Sequence, residues 1–136
     1  MKIVIDASFV ASLFLPDEAS EQTASLAKTL GPNDATAPSL LQLEVTNILL
    51  MAQRRKRITG VQLKQLSDAF EKFPVSYQPA LTADQRATVL RSAEKHNLTA
   101  YDATYLELCM RLGLRLASLD AALVRAAKSE GVKLSL

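Results

Sequence analysis

The sequence predicts an α/β fold, a parallel sheet with helices on both faces, and three observations carry that prediction. Short apolar runs such as "KIVI" and "LRLAS" are of the fully buried kind that parallel strands show. Between them lie longer stretches with apolar residues at helical spacing, bounded by capping residues and by glycines. The chain has 136 residues, 49% of them hydrophobic, enough to bury most of one core and too few for two.

The elements follow in order. "KIVI" at 2–5 is a strand, Asp6-Ala7-Ser8 a turn, and "FVASLFL" a helix. A second helix is expected over about 18–30, stopping at Gly31-Pro32. "ATAP" is a weak strand candidate. Ser39 with Gln42 has capping-box spacing and opens a helix that runs to the mid-fifties. Another is expected over about 59–73, ending before Pro74, and "VSY" reads as a short strand. Thr82 with Gln85 and Thr99 with Asp102 open two more helices, the first ending near His96 and the second at Gly113. "LRLAS" and "VKLSL" read as strands around a last helix over 120–130. Crossovers in such a sheet are right-handed, so the strand C-termini share one edge, where open α/β sheets place their ligands.

Several classes are excluded. Cys109 is the single cysteine, which rules out an internal disulfide and a multi-cysteine zinc site and leaves it as core filler. No uninterrupted apolar run approaches the roughly 18 residues of a membrane span. Asp6 breaks the apolar N-terminal stretch, which therefore does not read as a signal peptide, and a soluble cytoplasmic protein is expected. Neither a linker nor a repeat divides residues 1–136, so one domain is expected. There are 16 Lys and Arg against 14 Asp and Glu; with four acids drawn into one site, ten remain, and the exterior is moderately basic.

Those four acids are Asp6, Glu44, Asp102 and Asp120. Asp6 and Asp120 follow apolar strands at the ligand edge, although each also suits a helix N-cap. Glu44 shares its helical face with Leu40, Leu41, Ile48 and Met51, and Asp102 shares its own with Tyr105, Leu106 and Cys109. A carboxylate on such a face needs a cation or a place at the rim, and Asp102 also suits the acidic position of a Thr99 capping box. Asn47, one turn beyond Glu44, can hydrogen-bond to it or to a ligand, or simply lie at the surface. Like charges brought to one edge repel unless a cation sits among them. An oxygen-only donor set with no His or Cys cluster suits Mg²⁺ or Mn²⁺, which bind phosphate oxygens readily and can activate water.

With those residues in place, the sequence resembles the PIN-domain ribonucleases, and within them the VapC-type toxins of toxin-antitoxin pairs. The matching pieces are "VIDASFVASLFL", "PSLLQLEVTNILL", "LTAYDATYLELCMRLG" and "LASLDAALVRAAKSEGVKL", four motifs in order over nearly the whole chain. The resemblance implies a three-layer α/β/α sandwich, an acidic Mg²⁺ or Mn²⁺ site and metal-dependent endoribonuclease activity. It also implies RNA as substrate, a homodimer, and a cognate antitoxin whose C-terminal segment covers the site. Asp6, Glu44, Asp102 and Asp120 would be its acidic quartet, with Glu44 either binding the metal or orienting water. Ser8 and Ser118 would fix the carboxylates or act as turn residues; at Ser118 many relatives carry Thr.

Arg54-Arg55-Lys56-Arg57 reads either as a solvated helix terminus or as a contact for RNA phosphates. Tyr101 and Tyr105 read as packing residues, with base stacking as the sharper alternative. His96 lacks partners for ligation, and no G-x-S-x-G elbow supports a serine hydrolase. Two further classes are open to test. A phosphoacceptor receiver would need an acidic pair after the first strand and a late Lys, which Asp6-Ala7-Ser8 and Ser118-Leu119-Asp120 do not supply. A non-catalytic PIN-like binding module would show no metal-dependent cleavage.

Overall fold

A computed structural model describes residues 1–136. Four parallel strands, β1 (Ile3–Ile5), β2 (Ala35–Pro38), β3 (Ser76–Gln78) and β4 (Arg115–Ala117), lie in the order β3-β2-β1-β4. Seven helices join and follow them: α1 (Ala7–Phe14), α2 (Glu21–Thr29), α3 (Leu40–Arg54), α4 (Gly60–Lys72), α5 (Ala83–His96), α6 (Ala100–Leu112) and α7 (Ala121–Ser129). The chain steps from β1 through β2 to β3 in one direction, then crosses back to β4 on the far side of β1. Right-handed crossovers therefore put α1 to α4 on one face and α5 and α6 on the other. The packing agrees, with α3 against β2 and α1, and α6 against β1, β2, α5 and α7. This is the three-layer α/β/α sandwich.

Ile3, Val4 and Ile5 are wholly buried and anchor a core of 25 residues that also holds Phe9, Leu41, Leu106, Leu116 and Leu123. Both faces of β1 are thus covered, which is why its run is continuously apolar rather than alternating. Cys109 fills the same core, and burial pushes its thiol up to about 12. No helix is long and apolar enough to cross a membrane.

Four expectations change. The helix expected over 18–30 is a 3₁₀ turn, Pro16–Glu18, followed by α2, which Ser20 caps through the Thr23 N–H. Ser39 does not cap α3: its backbone is already helical and its hydroxyl makes no cap bond, because β2 runs straight into the helix. "ATAP" is a full interior strand, buried at every position. "VKLSL" is not a strand; it makes a single parallel bridge, Leu116 to Leu134, along the short β4.

Candidate active site

Strand order reverses on either side of β1, so the C-terminal ends of β1 and β4 flank a switch point of the sheet, the usual place for a ligand crevice. Asp6 is the first residue past β1 and caps α1. Its Oδ1 accepts the Phe9 N–H at 2.9 Å and the Ser8 hydroxyl at 2.7 Å, and its Oδ2 accepts the Ser118 hydroxyl at 2.6 Å. The same two hydroxyls tie down the loop after β4: Ser118 Oγ accepts the Asp120 N–H at 3.0 Å and Ser8 Oγ accepts the Leu119 N–H at 2.8 Å. Ser8 and Ser118 therefore lock both strand ends into one network. Asp120, half-buried, caps α7 by accepting the Leu123 N–H at 2.8 Å.

The other two carboxylates come from helices on opposite faces of the sheet. Glu44 is half-buried on α3 and accepts the hydroxyl of Tyr105, which reaches over from α6, at 2.5 Å. Tyr105 is 1% exposed. Asp102 stands in the first turn of α6, half-buried, where Thr99 caps the helix by accepting the Asp102 N–H at 3.1 Å. Asn47 is exposed and lines a surface depression with Leu40, Leu43, Glu44 and Tyr101.

Electrostatics bind the four acids into one group. Burial is the largest cause raising the Asp6 carboxyl; Ser118, Ser8 and the Phe9 N–H pull it back, and Asp120 pushes it up again. Asp102 is raised by burial, then by Asp120 and Asp6. Glu44 is raised by burial, opposed by Tyr105, and raised further by Asp102 and Asp6. Burial first, and Glu44 second, also push the Tyr105 phenol well above its ordinary range, so it stays protonated and donates. Every ion pair of the protein lies elsewhere, and none of the four carboxylates has a Lys, Arg or His in contact. Negative charge accumulates at this edge with no protein cation to balance it.

The donor set is anionic and all oxygen, which fits Mg²⁺ or Mn²⁺. No three acids converge closely enough to form a ready inner shell.

The basic run is not brought to this edge. Arg57 donates to Asp17 at 2.7 and 2.8 Å and to Glu18 at 2.6 Å, so its guanidinium clamps the 3₁₀ turn. Arg54, Arg55 and Lys56 are exposed at the far end of α3, and Arg54 lies ten residues from Glu44, about 15 Å along the axis. His96 contacts Glu130 at 2.9 Å, away from the acids. Neither packing nor base stacking, the two roles the sequence suggests for Tyr105, includes its contact with Glu44, which spans 61 residues and leaves no local signal.

Residues 3–129 match the family model described as PIN domain. The chain is 34% identical over 127 residues to Ribonuclease VapC3 of Pyrobaculum aerophilum, covering 88% of this chain and 90% of that one. Two solved structures share the fold. FitAcB from Neisseria gonorrhoeae is 16% identical with a TM-score of 0.70, covering 97% of this chain and 95% of its own. VapC20 of Mycobacterium tuberculosis, described as a sarcin-ricin loop cleaving toxin, is 17% identical with a TM-score of 0.66, covering 92% and 95%. A family match over nearly the whole chain, beside a relative of this identity and coverage, means that the chain belongs to the PIN domain family.

Proposed function

We propose that residues 1–136 form one PIN domain acting as a metal-dependent endoribonuclease, the toxin of a VapBC-type toxin-antitoxin pair. The chain is a ribonuclease by its relation to Ribonuclease VapC3. One observation supports the metal dependence: four acids from four elements lie around the switch point of the sheet, near enough to raise one another's carboxyls, and no protein cation balances them.

Asp6, Asp102 and Asp120 would hold Mg²⁺ or Mn²⁺, directly or through water, and Glu44 would complete the set. Bound there, a divalent ion would supply the activation of water and the charge stabilisation that phosphodiester hydrolysis needs. Ser8 and Ser118 fix the Asp6 carboxylate through both oxygens, so it does not rotate when a ligand arrives. Tyr105 fixes one oxygen of Glu44, and the other would be free to bind the ion or orient the attacking water. The RNA strand lies along the open edge of the sheet. A cognate antitoxin covers that edge, two copies of the chain form a dimer, and the cytoplasm is the site of action.

Purified protein free of partner, incubated with mixed RNA and Mg²⁺, Mn²⁺ or EDTA, tests the activity. Defined fragments with metal and none with EDTA are expected. No cutting under any condition would support the binding module instead.

A further inference from the structure

Beside the acidic edge, past the C-terminal ends of β2 and β3, lies a cleft of about 350 Å³ lined by Pro38, Gln78, Arg86, Tyr101, Glu107 and Arg111 among others. Tyr101 is the divider. It precedes Asp102 in the first turn of α6, is 65% exposed, and lines both this cleft and the depression at Glu44. A bare aromatic ring one residue from a carboxylate of the site contributes nothing to the core.

The cleft also contains a built polar group. Glu107 is 3% exposed, and both of its oxygens accept from a single nitrogen, Arg111 Nε, at 2.8 and 3.2 Å. The buried carboxylate thus holds the guanidinium by its inner edge, and neither terminal nitrogen of Arg111 has a protein partner. Arg86, in the first turn of α5, gives one donor to the Leu81 carbonyl at 2.8 Å and keeps the others. A held planar fork suits phosphate oxygens or the acceptor edge of a base.

We infer that this cleft receives one unstacked nucleotide of the RNA strand next to the bond being cut, with Tyr101 as stacking platform and Arg111 as specificity-determining donor. The inference rests on the ribonuclease reading above. Single-stranded RNA is read in this way, by splayed bases stacked on aromatic rings and hydrogen-bonded at their edges. The cleft accepts an RNA strand rather than an acidic peptide because a flat exposed ring accompanies the two arginines, and because that ring also lines the depression at Glu44.

The test compares Tyr101→Ala, Tyr101→Phe and Arg111→Lys in the full chain, each melted to confirm folding. Binding of a labelled single-stranded RNA oligonucleotide is read by anisotropy with every variant in an Asp102→Asn background. Cut sites on mixed RNA are mapped with Asp102 intact. Tyr101→Ala is expected to weaken binding by about tenfold or more, while Tyr101→Phe retains it. Arg111→Lys keeps the charge opposite Glu107 but loses the fork, and is expected to redistribute the cut sites. If wild type cuts with metal and Tyr101→Ala binds as tightly and cuts the same sites, the cleft assignment is overturned and the ribonuclease reading stands. If wild type does not cut at all, that earlier reading fails first. Loss of self-association by Tyr101→Ala with unchanged RNA affinity would make the cleft a protein interface and would also overturn the inference.

Discussion

Replacing Asp102 by Asn removes one charge, keeps the shape, and separates a metal-binding carboxylate from a structural one. Without metal, the folded state disfavours the Asp102 charge, since burial, Asp120 and Asp6 all raise its carboxyl. The change relieves that. It also forfeits the attraction of a carboxylate for the N-terminus of α6, about 0.3–1 kcal/mol. The Thr99 cap survives, because it uses the backbone N–H of residue 102. Asp102 is half-exposed, so solvent screens both effects and the net falls within about 1 kcal/mol, with stabilisation the expected sign. In a domain of this size that is a rise in Tm of no more than about 5 °C in EDTA. Metal reverses the order. At a hundredfold excess over Kd, wild type should gain about 2.7 kcal/mol, and the variant, lacking the carboxylate proposed as a ligand, should gain much less. Cleavage should fall on the order of 10²-fold or more. Thermal melts with EDTA and across a Mg²⁺ titration, with RNA cleavage beside them, decide it. A variant that melts more than about 5 °C below wild type in EDTA, or that cuts RNA at the wild-type rate, would refute the reasoning.

Tyr105→Phe should cost about 1 kcal/mol in denaturant melts and weaken metal-dependent cleavage about tenfold, because Glu44 loses the donor that orients it. Ser118→Ala leaves Asp6 Oδ2 and the Asp120 N–H without a partner and should cost about 1–3 kcal/mol. Ser118→Thr keeps the hydroxyl and should restore both stability and activity. Without metal, stability should fall as pH rises toward neutral; the lowered carboxyls of Asp17, Asp34 and Glu130 act in the opposite sense only at more acid pH, below their ordinary values. Asp6, Asp102 and Glu44 have raised pKa values when folded, so between their unfolded and folded values the native state binds the extra protons. Melts in EDTA across pH 5–7 read this, and a rising curve there would contradict it. Neutralising Arg54 and Arg55 together should leave the salt dependence of RNA cleavage unchanged, since they lie at the opposite end of α3 from Glu44.

Legibility differed by the kind of interaction. β1 and β4 were readable because burial on both faces demands unbroken apolar runs. β2 was weak in sequence because Ala and Pro have low strand propensity; its place between β1 and β3 made it a strand. The Ser39 box misled because a spacing rule cannot register a strand that enters its helix without a turn. All four acids were legible as anomalies, carboxylates at strand ends or on apolar faces. Their partners were not: Ser118 lies 112 residues from Asp6, and Tyr105 lies 61 from Glu44. Arg57 looked like part of a basic patch for the same reason, its acidic partners being about 40 residues upstream.

The capping motifs explain how one residue can serve fold and site together. Three helices open on Thr with an amide or acid at the third helical position: Thr59 with Gln62, Thr82 with Gln85, and Thr99 with Asp102. In the first two the Gln folds back onto the backbone N–H of its Thr and closes the box, at 2.8 and 3.1 Å. In α6 the first half forms and the second does not. Asp is one methylene shorter than Gln or Glu, and its carboxylate stays outside the reciprocal bond; burial, Asp120 and Asp6 raise its pKa and the Thr99 side chain lowers it. At the other two Asp positions the cap bond uses Oδ1: the Phe9 N–H at Asp6 and the Leu123 N–H at Asp120. Helix capping thereby orients two of the acids and leaves the third unused by the backbone. Glu at position 102 would have the reach to close the box. Asp102→Glu should therefore stabilise the cap while withdrawing the carboxylate from the edge, so the longer acid is the poorer one for metal binding.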